Sequence, residues 1–228
     1  FIKIFKINMN NYIDKYHISS KIYFQNSEIS QLKNKTIIEF FSIEKGKLQF
    51  NKSKNYVQHY HNKKFVLLIA RNSYYKGFKI LSKLISELED VNFICITDYK
   101  FEKDYKNLII LKNISEFEKT MLIKKSRVVI STSTSRAESF GMTILEAIMN
   151  LKPVMSFDLQ TGINDLIKNN KNGFIIKKFD VTNYKNKLLK IYNDDLVYKS
   201  FCNYQKKHKK IFSTKYKKLE KLYTNLNN

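Results

Sequence analysis

From Lys64 onward, apolar and polar positions alternate in blocks. "KFVLLIA" (64–70) is a short apolar run of the kind that makes a strand buried on both faces. After a polar loop, Phe78, Leu81, Leu84, Ile85 and Leu88 recur at helical spacing. "VNFICIT" (91–97) and "NLIIL" (107–111) predict two more strands. Ser115 followed by Glu118 is a capping box, which predicts a helix through about Lys125. "RVVIST" (127–132) predicts a strand, then a helix starts near Thr143, then "PVMSF" (153–157) is strand again. A short helix over 164–168 leads into "GFIIK" (173–177). Asp180 can cap a helix running to about Asn193, and two Lys- and Tyr-rich helices close the chain.

Strands alternating with helices over this length imply an α/β chain: a Rossmann-like parallel sheet with helices on both faces. Ligands of such sheets bind outside the carboxyl ends of the strands, which is where the polar loops after 70, 132 and 157 fall. The first sixty residues fit less well. "KIYFQ" (21–25) and "KTIIEFF" (35–41) look like strands, but no complete βαβ unit is visible among them. They are too few for a second full domain.

Composition narrows the function. The chain has 228 residues, 43% hydrophobic and 14% aromatic, enough for a globular core. No apolar run is long enough to predict a transmembrane helix. Cys95 and Cys202 lie far apart and share no metal-binding spacing with histidine, so a reducing compartment and no metal are expected. The formal charge is +22, yet only Arg71, Arg127 and Arg136 are arginines among 42 basic residues. Nucleic-acid readers exploit arginine's planar fork, so a basic nucleic-acid-binding module is the weaker reading. Abundant Lys, Asn, Ile and Tyr are what an AT-rich coding sequence gives. Attraction to an anionic membrane surface remains a physical consequence.

Two stretches carry candidate chemistry. In "ARNSYYKG", Arg71 leaves a strand and Lys76 precedes Gly77 at a helix start. Two cations beside free helix N–H groups suit a diphosphate, though a surface Arg and Lys in a loop would look the same. In "SRAESFGMTILEAIMNLKPV", Glu138 and Glu146 stand eight positions apart, and Glu146 falls within an apolar helix. A buried carboxylate needs partners: either a sugar diol donating two hydroxyls, or a lysine from a neighbouring helix. A third loop, "DLQTGINDLIKNNKNGF", signals only loop, helix and strand by itself.

Together these stretches resemble the donor-binding domain of the retaining GT-B glycosyltransferases, family four (the group 1 transferases). The Gly-Arg-loop-Lys-Gly element is similar to "ARNSYYKG", with Ala70 in place of the first glycine. The Glu-seven-residues-Glu motif with Phe-Gly inside corresponds to "ESFGMTILE", followed by an Ala-bearing helix and a Pro-Val strand, "EAIMNLKPV". "TGINDLI" and "NGFII" follow in order, with Thr161 for a glycine and Asn164-Asp165 for the usual Pro-Glu. The resemblance covers about Lys64 to Asp195, and "FSTKYKKLEKLY" (212–223) is similar to the family's last, crossover helix.

The resemblance implies a hexosyltransferase-type enzyme that moves a sugar from a nucleotide sugar to a glycan or lipid-linked acceptor with retention. Surface polysaccharide or lipopolysaccharide synthesis is the implied setting, in the cytoplasm or on the inner face of the membrane. Arg71 and Lys76 would bind the diphosphate and, with Glu138, carry the chemistry. Electrostatic stabilisation by placed cations would replace a metal or cofactor. Glu138 would face the transferred sugar, and Glu146 would hold the ribose hydroxyls. Backbone amides of Phe140, Gly141 and Met142 would line the sugar and phosphate, with Thr143 and Gly162 completing the donor site. Residues 1–63 are expected to be the tail of an N-terminal acceptor domain plus a linker entered at "IIEFFSIEKG", and 64–228 the nucleotide-sugar-binding domain. With Phe1 first and no signal-peptide pattern, an upstream part is expected. A catalytically inactive remnant is the alternative.

Overall fold

The computed structural model describes residues 16–27, 30–31, 36–38 and 63–208. The expected crossover helix at 212–223 and most of the linker lie outside them. The N-terminal part holds β1 (Tyr16–Ile18), α1 (Lys21–Gln25) and β2 (Thr36–Ile38), with the two strands paired in parallel. This corrects two expectations: "KIYFQ" is helix, and a βαβ unit is present. Ser20 decides the first, because its hydroxyl accepts from the Tyr23 N–H at 2.9 Å and caps the helix. Elements of three and five residues are also too short for a period to show.

The unit is docked on the rest of the chain. The Asp165 carboxylate accepts from the Ser20 hydroxyl at 2.6 Å and from the Ile22 N–H at 3.2 Å. An anion at the first turn of α1 is where the helix's free N–H groups favour one.

The main sheet consists of β3 (Val66–Ile69), β4 (Phe93–Ile96), β5 (Leu108–Leu111), β6 (Val128–Ser131), β7 (Val154–Phe157) and β8 (Gly173–Ile176). All neighbours are parallel, in the order β5-β4-β3-β6-β7-β8. That order runs outward in both directions from β3 and β6, so the connection reverses between them. This is the switch point at which doubly wound sheets open a crevice. Burial follows position: every β7 residue is buried, whereas edge strand β5 leaves Ile110 39% exposed.

Six α-helices are described after β3: α2 (Phe78–Glu87), α3 (Glu116–Lys125), α4 (Met142–Met149), α5 (Gly162–Leu166), α6 (Val181–Asn193) and α7 (Asp195–His208). Ser115 and Glu118 make the expected reciprocal cap on α3. The short helix α5 starts two residues earlier than its expected 164–168, where the Asn164 side chain accepts from the Thr161 N–H. Tyr184 on α6 is fully buried and donates to the Ser131 carbonyl at 3.1 Å, and burial pushes its phenol well up. Among the described residues, no helix is long and apolar enough to cross a membrane.

Below the sheet, at its amino edge, Arg127 is a structural residue. It is 7% exposed, donates from Nε to the Ile191 carbonyl at 2.9 Å, and lies 4.0 Å from the Tyr198 ring centre. Its guanidinium also meets Asp195 at 2.6 Å, and Lys64 meets the same carboxylate at 3.0 Å. Hydrogen bonds from Lys64 and Arg127 hold the Asp195 carboxyl below its usual range.

Gly173 tests the close packing of β8 on β7. A β-carbon there would lie 1.9 Å from the Val154 carbonyl oxygen. The Gly173→Ala variant should therefore lose about 2 kcal/mol or more, read as a lowered urea midpoint with an unchanged slope.

Candidate active site

The loops after β3 and β6 are held together by backbone. Gly77 adopts φ +70°, and a β-carbon there would fall 2.0 Å from the Thr132 carbonyl oxygen. Glycine is required both for the left-handed turn and for the approach. Thr132 donates through its hydroxyl to the Lys76 carbonyl at 2.8 Å, and the Thr134 N–H donates to the Tyr75 carbonyl at 2.8 Å. These bonds place Lys76 beside the loop that precedes α4.

There Lys76 Nζ meets Glu138 Oε2 at 2.5 Å, and the Ser133 hydroxyl donates to the same oxygen at 3.0 Å. Both charged side chains are largely covered, 16% and 15% exposed. A recess of about 20 Å³ lies against Lys76, Ser133, Glu138, Gly141 and Thr143. It has room for about one water. Next to it, sharing Ala70, Lys76 and Thr143 as walls, is an open cleft of about 500 Å³. Arg71, Asp98, Lys112 and Asn113 line that cleft. Its size suits a small-molecule ligand. Arg71 is exposed and has no acidic partner among the described residues. Asp98 accepts from the Asn72 N–H at 2.7 Å, tying the Arg71 loop to the end of β4.

Helix α4 points its N-terminus at this region. Gly141 caps it at φ +84°, and a β-carbon would lie 2.5 Å from Ile163 of α5. The first N–H groups, from Met142 onward, are orphans by geometry and suit an anion. Phe140 is buried, Met142 is 42% exposed, and Thr143 lines both openings. Gly162 is placed differently: it sits behind Phe140, where a β-carbon would meet the ring at 2.5 Å, and lines neither opening.

Glu146 lies one turn beyond Thr143, with its side chain 23% exposed. Its Oε1 accepts from Lys119 Nζ at 3.1 Å, so the lysine partner from a neighbouring helix is present. Its second oxygen has no protein donor among the described residues. Lys119 also pairs with Glu116 at 2.7 Å. Burial opposes the charge on Lys119, but the two glutamates outweigh it and hold the ammonium above its ordinary range.

The structure thus brings Arg71, Lys76, Glu138, Gly141 and Thr143 to one place, keeps Glu146 one turn away, and uses Gly162 to seat α5. Sequence reasoning missed Ser133, Asp98, Lys112 and Asn113. Each lies within two residues after a strand of the sheet, and that position was the available signal.

The sequence model described as Glycosyl transferases group 1 matches residues 49–209. The chain belongs to this family. An uncharacterized glycosyltransferase of Methanocaldococcus jannaschii is 26% identical over 200 residues, covering 84% of this chain and 53% of that protein. The poly(ribitol-phosphate) alpha-N-acetylglucosaminyltransferase of Staphylococcus aureus is 35% identical over 69 residues, 30% of this chain and 14% of that one. Among solved structures, a Staphylococcus aureus TarM variant in complex with Fondaparinux, alpha-GlcNAc-glycerol and UDP has a TM-score of 0.70 at 19% identity, covering 96% of this chain and 44% of that one. That likeness shows the GT-B-type fold. The chain spans about half the length of the relatives it matches along most of its own length.

Glu146 and Lys119 yield a test with two readouts. Glu146→Gln leaves Lys119 its Glu116 partner, so the fold should lose only about 1 kcal/mol. Glu116→Gln together with Glu146→Gln strands the lysine and should cost about 2 kcal/mol more than the two single changes summed. Because the folded Lys119 pKa is raised, this coupling should be fully present below the ordinary lysine value of about 10.4 and fade as pH rises through the folded value. Denaturant titration of the four proteins at neutral and high pH measures it.

Proposed function

We propose that this chain carries the donor half of a glycosyltransferase that moves a hexose from a nucleotide sugar to a glycan or lipid-linked acceptor with retention. The observation that carries the reading is the convergence of Arg71, Lys76 and the N-terminus of α4 on one cleft at the switch point. Two cations and a set of free N–H groups are what a diphosphate needs. The cations stabilise the charge that develops on the diphosphate as the glycosidic bond breaks, so the reading calls for no metal or cofactor. Amides of Phe140, Gly141 and Met142 bind sugar and phosphate, Thr143 lines the opening, and Gly162 holds the loop in place. The unpartnered oxygen of Glu146 accepts a ribose hydroxyl.

The Lys76–Glu138 pair occupies the place of the sugar. With room for only about one water beside it, nucleotide sugar enters when Lys76 turns to the diphosphate and Glu138 is freed for the sugar's hydroxyls. The relative that acts on poly(ribitol-phosphate), and the solved structure with UDP and alpha-GlcNAc-glycerol, support a setting in surface-polymer synthesis. The proposed place is the cytoplasm, with peripheral contact at the membrane face.

Calorimetric titration with UDP and GDP tests the donor site. Arg71→Ala should weaken binding tenfold to a hundredfold, matching the roughly 1.5–3 kcal/mol of hydrogen bonds to charged groups. Lys199→Ala, an exposed change on α7, should leave affinity within about twofold, as surface changes do. Glu138→Gln releases Lys76 and should keep or tighten nucleotide binding. Equal losses at Arg71 and Lys199 would count against the assignment.

A further inference from the structure

A second open cleft, of about 470 Å³, lies on the same edge of the sheet beyond the ends of β7 and β8. Arg136, Lys177 and Lys178 line it, with Asp158 and Gln160. The single carboxylate is already engaged, accepting from the Gln160 N–H at 3.2 Å and the Asn164 amide at 2.8 Å. The two lysines are exposed and make no ion pair among the described residues. Arg136 is held from behind: one nitrogen donates to the Tyr23 carbonyl at 3.4 Å, and the guanidinium lies 5.2 Å from the Tyr23 ring centre. A guanidinium has five donors in a fixed fork, so this anchor leaves several for an anion.

Next to Lys178 in the chain stands an odd residue. Phe179 adopts φ +67°, rare for an aromatic, and is 62% exposed with Lys178 Nζ 4.9 Å from its ring centre. Backbone strain of this kind clusters at ligand-holding segments. An exposed aromatic ring offers a platform for the apolar C–H face of a sugar ring, while the cations beside it suit negative charge. The cleft is linked to the donor site through two loops. Arg136 stands two residues before Glu138 in one loop, and Gln160 stands two before Gly162, which seats Phe140.

We propose that this cleft binds the acceptor, and that the acceptor is a phosphodiester-bearing glycan: phosphate on Arg136, Lys177 and Lys178, a sugar face on Phe179. The inference rests on the glycosyltransferase reading above. A nucleic acid would also like cations beside an aromatic ring, but three cations in one short cleft fit one or two phosphates rather than a long strand. The loop that carries both Arg136 and Glu138 favours a sugar substrate.

The test uses the full chain with a fluorescent glycerol-phosphate oligomer, a neutral dextran of equal size, a thymidine oligonucleotide and phosphatidylglycerol vesicles. Arg136→Gln/Lys177→Gln/Lys178→Gln should weaken oligomer binding about tenfold or more, and added salt should weaken it in the wild type. Phe179→Ala should weaken it further. A control, Lys106→Gln/Lys171→Gln/Lys199→Gln, removes equal charge near the amino edge of the sheet and should change it little. UDP or GDP affinity should be the same in both triple variants, which also reports that they are folded. Equal loss in both triple variants, or binding of the oligonucleotide or vesicles as tight as that of the oligomer, overturns the proposal. Absent oligomer binding with intact UDP or GDP binding overturns it and leaves the donor reading standing. Oligomer binding by a wild type that takes neither nucleotide overturns the donor reading, and the acceptor assignment with it.

Discussion

A β-carbon on Gly77 would lie 2.0 Å from the Thr132 carbonyl oxygen, and the site is built outward from that approach. The loops after β3 and β6 leave neighbouring strands at the point where the sheet reverses direction, so they would diverge if nothing joined them. Three backbone-linked contacts join them: Gly77 on Thr132, the Thr132 hydroxyl on the Lys76 carbonyl, and the Thr134 N–H on the Tyr75 carbonyl. Only then does Lys76 reach Glu138, and only then does the cation face the same opening as the N-terminus of α4. The chemistry of the site is thus downstream of a steric allowance at one glycine.

A second glycine transmits order in the same way. Gly162 lets α5 pack directly on Phe140, and Ile163 of α5 fills the space where Gly141 has no side chain. Helix α5 in turn carries Asp165, which caps α1 of the N-terminal unit through Ser20 and Ile22. The Glu138 loop, α5 and the N-terminal βαβ unit are therefore one continuous chain of contacts. Any force that moves the N-terminal unit acts on the loop that holds Glu138.

Much of the sheet was legible in the sequence because its strands are buried on both faces and read as plain apolar runs. The helices between them were legible where a cap or a clean period marked them, as at Ser115 or along Phe78–Leu88. The N-terminal unit was not. Its strands have three residues each and its helix five, so periodicity has nothing to count, and a capping serine outweighs the strand-like look of "KIYFQ". In the candidate site, the rare arginine and Glu138 pointed to loops that the fold brings together. A lysine on a neighbouring helix was foreseeable for Glu146, but not which one, because Lys119 reaches it across 27 residues and Lys76 reaches Glu138 across 62. Asp165 shows the same limit: the sequence marked it only as a departure from the family's Pro-Glu, yet it caps a helix 143 residues away.

The scarcity of arginine sharpens the electrostatics. Lysine is a hydrated point charge on a long stem, and forty-two basic residues with three arginines make a surface that attracts anions without selecting among them. Each arginine, by contrast, stands at a distinct place in the fold. Arg127 is buried and staples α6 and α7 to the foot of the sheet. Arg71 stands at the first cleft, and Arg136 stacks on Tyr23 at the second. Two of the three thus face open clefts on the carboxyl edge, one on each side of the loop that carries Glu138. If composition alone had set the basic residues, the forks would be scattered like the lysines. Their placement sets a planar fork at each of two open clefts, apart from the general pull on anions, and the proposed transfer between two charged substrates calls for both.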